Sequence, residues 1–179
     1  CALLAMLLLT GAALGESLMA FEDYAAALDA PADAEWTADG DMRRLELADE
    51  ATVSVCLEGE SVMAVTVEAP KESIMDAGSA ALKALGAMTD EKIAELLAMT
   101  EAGSAEVDAC AFWRMLGKKR EGIAVCAAED APSLFWIPVH GGKKFHVRIG
   151  CSGMDVARLV TRKAAEEAGL EPCGRCKNR

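Results

Sequence analysis

Four residues of the types that bind soft metal ions lie in the last part of the sequence: His146, Cys151, Cys173 and Cys176. They follow the pattern His-x4-Cys-x21-Cys-x2-Cys. Zn²⁺ takes four nitrogen or sulfur ligands in a tetrahedron, and a Cys-x2-Cys turn provides two thiolates from one short loop. Because four protein ligands leave no coordination position open, the pattern predicts a structural zinc site and not a catalytic one.

The residues between these ligands predict the elements that would bring them together. A short strand is predicted around His146, and a turn follows Cys151. A helix is predicted from Asp155 to about Ala168, with Gly169 as its C-cap, and it would return the chain to the first ligand pair. A segment of this size buries little apolar surface, so we expect a metal to supply folding energy.

Two other interpretations of these cysteines remain open. The sequence Cys173-Gly174-Arg175-Cys176 is also compatible with a redox pair of the thioredoxin type, in which the motif opens a helix that lowers the thiol pKa. Alternatively, the six cysteines that follow residue 15 form disulfides, as exported proteins often require. The disulfide interpretation leaves His146 without a role.

The end of the chain also carries a family resemblance. The stretch AEEAGLEPCGRC, residues 165–176, resembles the ending of the Ada-type zinc-binding module, first described in proteins that repair DNA methyl-phosphotriesters. The segment is similar to a variant of that module at the ends of secreted bacterial proteins, in which an aromatic-His pair precedes a CSGM turn; Phe145-His146 and residues 151–154 match it. The resemblance covers residues 141–177 and implies the same four metal ligands.

One departure from the repair proteins bears on activity. In those proteins the first ligand is a cysteine whose thiolate accepts the methyl group, whereas His146 stands in the corresponding place here. We therefore expect the fold and the metal of the module without its methyl-acceptor chemistry.

Charge divides the chain into two parts. Residues 141–179 contain nine lysines and arginines against four acids, a net charge of +5, so the other 140 residues carry −16 of the total of −11. A strongly acidic body repels polyphosphate, which argues against nucleic acid as a partner.

The first fifteen residues, CALLAMLLLTGAALG, contain only apolar and small residues apart from Thr10. The run is shorter than the roughly 20 residues of a membrane-spanning helix, and it matches the apolar region of a secretory signal peptide. Cleavage between Gly15 and Glu16 is predicted, which leaves no transmembrane span and a secreted or extracytoplasmic protein. One alternative is that Cys1 is the lipidated first residue of a lipoprotein, but such a cysteine is normally followed by a polar tether and not by fourteen apolar or small residues. The second alternative is an uncleaved N-terminal anchor. Residues 16–41 are predicted as a linker with a short helix at 20–29.

Residues 42–140 are predicted to form an α+β domain. Alternating apolar and polar residues predict a β-hairpin around Glu58-Gly59-Glu60. Apolar spacing and a Thr89 or Asp90 cap predict helices at 73–86 and 90–101. A second hairpin turns at 117–122 and would set Cys110 nearly opposite Cys126, where a disulfide is possible, with Cys56 left as a small buried hydrophobic residue. Residues 133–139 give a last strand.

The predicted order is therefore ββ-αα-βββ, an antiparallel sheet of about five strands with helices on one face, followed by the zinc module. The body contains no Ser-His-Asp set and no glycine-rich phosphate loop, and its carboxylates are scattered. We expect a non-enzymatic protein that binds a protein or cell-envelope partner. The alternative is a secreted enzyme with a carboxylate-based site in the acidic domain.

Overall fold

The structure is a computed structural model that describes residues 18–28, 30–31 and 34–176; the predicted signal peptide lies outside the described residues. The chain has an α+β fold, as predicted. The helices are α1 (Phe21–Ala27), α2 (Ile74–Ala84), α3 (Asp90–Leu97) and α4 (Arg162–Glu167). The strands are β1 (Thr37–Asp39), β2 (Met42–Glu46), β3 (Thr52–Glu58), β4 (Ser61–Pro70), β5 (Gly103–Val107), β6 (Cys110–Leu116), β7 (Arg120–Ala127), β8 (Phe135–Pro138), β9 (Lys144–Phe145), β10 (Ala157–Val160) and β11 (Glu171–Pro172).

Seven of these strands form one antiparallel sheet in the order β1-β2-β3-β4-β7-β6-β5. The predicted hairpin around Gly59 is its β3–β4 pair, and Gly59 takes the positive φ that such a turn favours. Two small pairs lie outside this sheet: β8 with β10, antiparallel, and β9 with β11, parallel.

One face of the sheet is covered by α1, α2 and α3. Val55, Val65 and Val125 of the sheet belong to a core cluster that also contains buried side chains of the three helices. These helix residues are Tyr24, Ile74, Ala77, Ala81, Leu82, Ala84, Ile93, Leu96 and Leu97. The apolar spacing that predicted α2 and α3 identifies the side of each helix that packs on the sheet.

The other face is covered by residues 134–165. Cys56, Met115 and Cys126 of the sheet form a second core cluster with Phe145 and Leu159, among others. The sheet therefore lies between two layers, and its central strands β3 and β4 are buried almost throughout. A sheet with both faces covered needs no solvated side, so the alternating polar residues of these strands are buried too.

The predicted boundary at residue 140 is not tested by the fold and stays a prediction, but the second core cluster contains residues from both sides of it. The stretch predicted as a linker contributes α1 and β1, and Tyr24 of α1 is completely buried. Leu18 and Phe21 also donate backbone hydrogen bonds to Val62 and Glu60.

The predicted pairing of Cys110 with Cys126 is wrong by one residue. Cys110 pairs with Ala127, and Ala111 pairs with Cys126. The turn is shorter than predicted because Arg120, Glu121 and Gly122 belong to β7. A shift of one residue moves a side chain to the opposite face of a sheet. Cys110 accordingly lies in the first core cluster and Cys126 in the second, so they form no disulfide.

The stretch predicted as one strand before that turn is two strands, β5 and β6. Asp108 and Ala109 connect them, and both have positive φ angles, as a two-residue hairpin turn of type I′ requires. The last predicted strand, at 133–139, exists as β8 but pairs with β10 instead of joining the main sheet.

The helix predicted over residues 155–168 is also wrong in its first half. Ala157–Val160 form strand β10, and α4 begins only at Arg162. Thr161 caps α4, since its hydroxyl accepts a hydrogen bond from the backbone N–H of Ala164 at 3.2 Å. The predicted end is confirmed in form: Gly169 has φ +73° and Leu170 donates a backbone hydrogen bond to Ala165.

Candidate metal centre

His146 is held in place by backbone pairing at the end of β9. Its N–H donates to the carbonyl of Trp136 at 2.8 Å, and its carbonyl accepts from the N–H of Trp136 at 2.7 Å. The preceding Phe145 is buried and packs edge-on against Phe135, with ring centroids 5.1 Å apart. His146 is therefore fixed through β8 to the second face of the sheet.

Cys173 and Cys176 are placed by the short parallel pairing of β11 with β9. Glu171 donates a backbone hydrogen bond to Lys143 at 3.0 Å, and Cys173 donates one to Phe145 at 2.9 Å. Cys176 follows in the turn after Cys173, and both cysteines are buried. The pairing thus brings the Cys-x2-Cys turn beside the residue that precedes His146.

Cys151 begins a single turn of 3-10 helix, Cys151–Gly153, and its N–H donates to the carbonyl of Arg148 at 3.2 Å. The sulfurs of Cys151 and Cys173 are 3.8 Å apart, and the Cys176 sulfur is 3.7 Å from Nδ1 of His146. One ligand atom from each of the four residues lies within 4.8 Å of all the others. We call these four residues the ligand cluster.

Two of these separations agree with tetrahedral coordination of a metal ion such as zinc. Bonds of about 2.3 Å to sulfur and about 2.0 Å to nitrogen at tetrahedral angles place neighbouring ligand atoms roughly 3.5–3.8 Å apart. The 3.8 Å between the sulfurs of Cys151 and Cys173 and the 3.7 Å between the Cys176 sulfur and Nδ1 of His146 agree with this spacing. A disulfide sulfur pair would be about 2.05 Å apart, and none of the six cysteines within the described residues is in a disulfide. The ligand cluster therefore fits a metal ion and not the disulfide alternative.

The surroundings of the Cys173 sulfur favour its thiolate form. Backbone N–H groups, first that of Arg175 and then that of Cys176, donate to the Cys173 sulfur and lower its pKa to about 7. Burial raises the pKa of Cys176, although a backbone hydrogen bond from Val147 acts in the opposite direction. Amide groups that point at a sulfur are the same groups that stabilise a metal-bound thiolate.

Burial lowers the pKa of His146, and the nearby positive charge of Lys144 adds to this effect. A lowered pKa favours the neutral imidazole, which is the form that binds a metal. Its Nδ1 atom faces Cys176, so Nδ1 is the nitrogen in position to coordinate an ion in the cluster.

All four residues predicted as ligands thus lie together, and the coarse prediction of a possible metal site is confirmed. An open cleft of about 1040 Å³ lies next to the ligand cluster and was not predicted from the sequence. His146 lines this cleft and also belongs to the ligand cluster. Two Gly-Lys-Lys triplets, at 117–119 and 142–144, line this cleft, and their repetition is the signal that could have identified it.

Comparison with known proteins adds no relative. No protein-family model matches the chain, and no curated protein or solved structure is significantly similar to it. The resemblance to the Ada-type module therefore rests on the motif residues alone, and the geometry of the ligand cluster shows a possible metal site. Among the described residues, no helix is long and apolar enough to cross a membrane.

Proposed function

We propose that the chain is an exported, non-enzymatic binding protein in which one structural zinc ion fixes the C-terminal segment in place. The observation that carries this proposal is the convergence of His146, Cys151, Cys173 and Cys176 within 4.8 Å of one another. Three sulfurs and one imidazole nitrogen are a ligand set that selects zinc over magnesium or calcium, which prefer oxygen. Four protein ligands fill a tetrahedron, so the role is structural.

The metal would act by joining elements that are otherwise weakly held. Strands β9 and β11 have two residues each, and Cys151 lies in a single 3-10 turn. Such short elements have little stability of their own. A zinc ion bound to the residues that follow β9 and β11 and to Cys151 would hold these three segments together. It would thereby keep Phe145 and its neighbours in the second core cluster, so metal binding would contribute folding free energy.

Metal analysis of protein purified under reducing conditions without chelator tests the metal. We expect about one zinc per chain, and cobalt substitution should give the spectrum of a tetrahedral site with thiolate ligands. Cys173→Ser should weaken zinc binding by more than the roughly 10–100-fold typical of losing an outer hydrogen-bond partner. The matched control is Cys126→Ala, which removes a buried thiol outside the ligand cluster and should retain the zinc.

A wild-type protein without zinc, or a disulfide between any two cysteines of the ligand cluster, would refute the metal proposal. Because residues of the C-terminal segment share the second core cluster with the sheet, metal loss should also lower the thermal midpoint of the whole chain. Restoring zinc should return the midpoint of the wild type but not that of Cys173→Ser.

Export is supported by the apolar run at residues 2–9 and by the small residues Ala13 and Gly15. N-terminal sequencing of the product released by a cell that expresses the precursor should begin near Glu16. Recovery of only the uncleaved chain in the cytosol would contradict this part of the proposal.

The enzymatic alternative gains no support from the described residues. Glu68 is buried, but its carboxylate is 2.8 Å from Arg158, and the carboxylate of Glu121 is paired with Arg114. A carboxylate that neutralises an arginine is committed to that pair and is poorly placed to transfer protons to a substrate.

A further inference from the structure

The cleft beside the ligand cluster is large enough for a small molecule. Its volume of about 1040 Å³ is just above the roughly 300–1,000 Å³ typical of ligand sites. It lies between the end of β4, the loop from β6 to β7 and the loops on either side of β9. Segments far apart in the sequence therefore contribute its walls.

Positive charge is concentrated at this cleft in an otherwise acidic chain. The cations that line it are Lys118, Lys119, Arg120, Lys143 and Lys144, and the acids are Glu50, Glu68, Glu72 and Asp155. The lining is net positive, although the whole chain carries −11. Two of these lining charges have partners outside the cleft, since Arg158 lies 2.8 Å from Glu68 and Glu171 lies 3.8 Å from Lys144, and the two contributions cancel.

Three of the lysines are available to a ligand. Lys118, Lys119 and Lys143 have no carboxylate within 4.0 Å in the part of the chain that the structure describes, whereas Lys144 lies 3.8 Å from Glu171. Lysine presents a compact positive charge on a flexible stem, which suits it to anionic groups of varied geometry.

Arginine and glycine residues fix the shape of the site around these lysines. The Nη2 atom of Arg120 donates to the carbonyls of Glu50 at 2.7 Å and of Glu68 at 3.2 Å. The carboxylates of the same two residues each lie 3.9 Å from the guanidinium, so Arg120 is anchored and paired, and the unpaired lysines carry the charge offered to a ligand. Gly142 has φ +92°, and a Cβ at this position would lie 2.5 Å from Cγ of Pro138. The path of the second lysine loop therefore requires glycine.

The cleft also has an apolar part. Its apolar lining residues are Pro70, Pro138, Val139, Met154 and Val156. A cleft with cationic loops and an apolar wall matches a molecule with a negatively charged group at one end and an apolar body at the other.

We propose that this cleft binds a small organic anion with an apolar body, and that the lysines of the two Gly-Lys-Lys loops hold its charged group. The proposal gives a ligand class to the binding role proposed above, and it rests on that role and not on the metal. His146 lines the cleft as well as belonging to the ligand cluster, so the metal would order one wall of the binding site.

Anilinonaphthalene sulfonate is a suitable probe because it joins an anionic group to an apolar ring system. A fluorescence titration of the folded, full-length protein should show one saturable site, with affinity that falls as salt rises. Two control probes should each bind at least about tenfold more weakly. The ring system without its sulfonate lacks the anionic group, and inorganic phosphate lacks the apolar body.

Charge-neutral variants locate the site. Lys118→Gln with Lys119→Gln should weaken sulfonate binding about tenfold and flatten its salt dependence. The matched control is Lys83→Gln with Lys92→Gln, which makes the same change in net charge at α2 and α3, away from the cleft. The control should bind as the wild type does, and both variants should unfold at similar urea concentrations.

Any of three results would overturn the proposal. The two double variants could lose binding equally, the uncharged ring system could bind as tightly as the sulfonate, or the wild type could show no saturable binding. Measuring zinc content and sulfonate binding on the same protein distinguishes failure of the metal proposal from failure of the cleft proposal. Protein that holds no zinc but binds the sulfonate through Lys118 and Lys119 refutes the zinc and supports the cleft. Protein that holds zinc and binds no sulfonate refutes the cleft alone.

Discussion

The two faces of the main sheet are covered in different ways. On the first face, valines of β3, β4 and β7 pack against apolar residues of α1, α2 and α3. On the second face, the covering segment also makes polar contacts with the sheet: Leu159 donates its N–H to the hydroxyl of Thr66 at 3.2 Å, and Thr161 donates its N–H to the sulfur of Cys56 at 3.3 Å. Helices α2 and α3 on the first face pack mainly through non-directional burial, whereas the second face uses directional contacts that fix the position of β10.

The cysteines show the same difference on a smaller scale. Burial raises the pKa of Cys56 to about 11, and burial raises the pKa of Cys126 to about 12. Backbone N–H groups instead lower the pKa of Cys173 to about 7. Cys56 and Cys126 on the sheet therefore behave as small apolar residues, whereas Cys173 has the surroundings of a metal ligand.

The largest loss of stability is expected from breaking the ion pair that joins the sheet to the segment covering its second face. Glu68 on β4 is buried and lies 2.8 Å from Arg158 on β10 and 3.9 Å from Arg120. Glu68→Ala should destabilise the chain by about 3 kcal/mol, the lower end of the range for breaking a buried pair, because both arginines retain some solvent contact. Equilibrium unfolding in urea measures this change.

A double variant separates the loss of the ion pair from the loss of packing. Replacing the pair by apolar residues, Glu68→Leu with Arg158→Met, should recover most of the stability, because no buried charge is left without a partner. Glu95→Ala, an exposed position on α3, should change stability by no more than about 0.5 kcal/mol. A double variant that is less stable than Glu68→Ala would contradict this expectation. It would show that the charges of Glu68 and Arg158, and not the packing of their side chains, hold β10 against the sheet.

The difference between the faces explains which parts of the fold the sequence could predict. The first hairpin and helices α2 and α3 were predicted because apolar periodicity directly reports a layer held by burial. Strand β10 was not predicted, since the positions on β4 that receive it are Thr66 and Glu68. Polar residues that alternate with valines also occur on a solvated face, and sequence alone does not show whether they are covered.

The ligand cluster was predictable for a different reason. The Cys-x2-Cys turn is local, so its spacing is visible in the sequence wherever it lies in a fold, and together with His146 and Cys151 it completes a set of four metal ligands. The elements that position it were harder to predict, because β9 and β11 contribute only two residues each and their pairing joins Lys144 to Glu171 across the sequence. Pairing between such short, distant strands leaves no periodic signal.

A smaller loss of stability is expected on the first face, where α2 packs closely against the sheet and α3. Gly78 lies within α2, and a Cβ there would be 2.3 Å from Cδ1 of Ile123 and 3.1 Å from Cδ2 of Leu97. Alanine normally stabilises a helix by about 1 kcal/mol relative to glycine, but Gly78→Ala should destabilise this chain by about 1–3 kcal/mol through overpacking. Ser79→Ala, on the same helix but only partly buried, should be neutral or slightly stabilising.

Removing the atom that the new methyl group would meet identifies the cause of the Gly78→Ala effect. Ile123→Val deletes Cδ1 and alone should cost about 0.5–1.5 kcal/mol. If the close contact is the cause, the Gly78→Ala, Ile123→Val double variant should be more stable than the sum of the two single changes predicts, because the added methyl group occupies the vacated space. Urea unfolding of all four proteins completes this cycle. Strictly additive costs would show that α2 does not approach β7 closely enough for packing at Gly78 to define the first face.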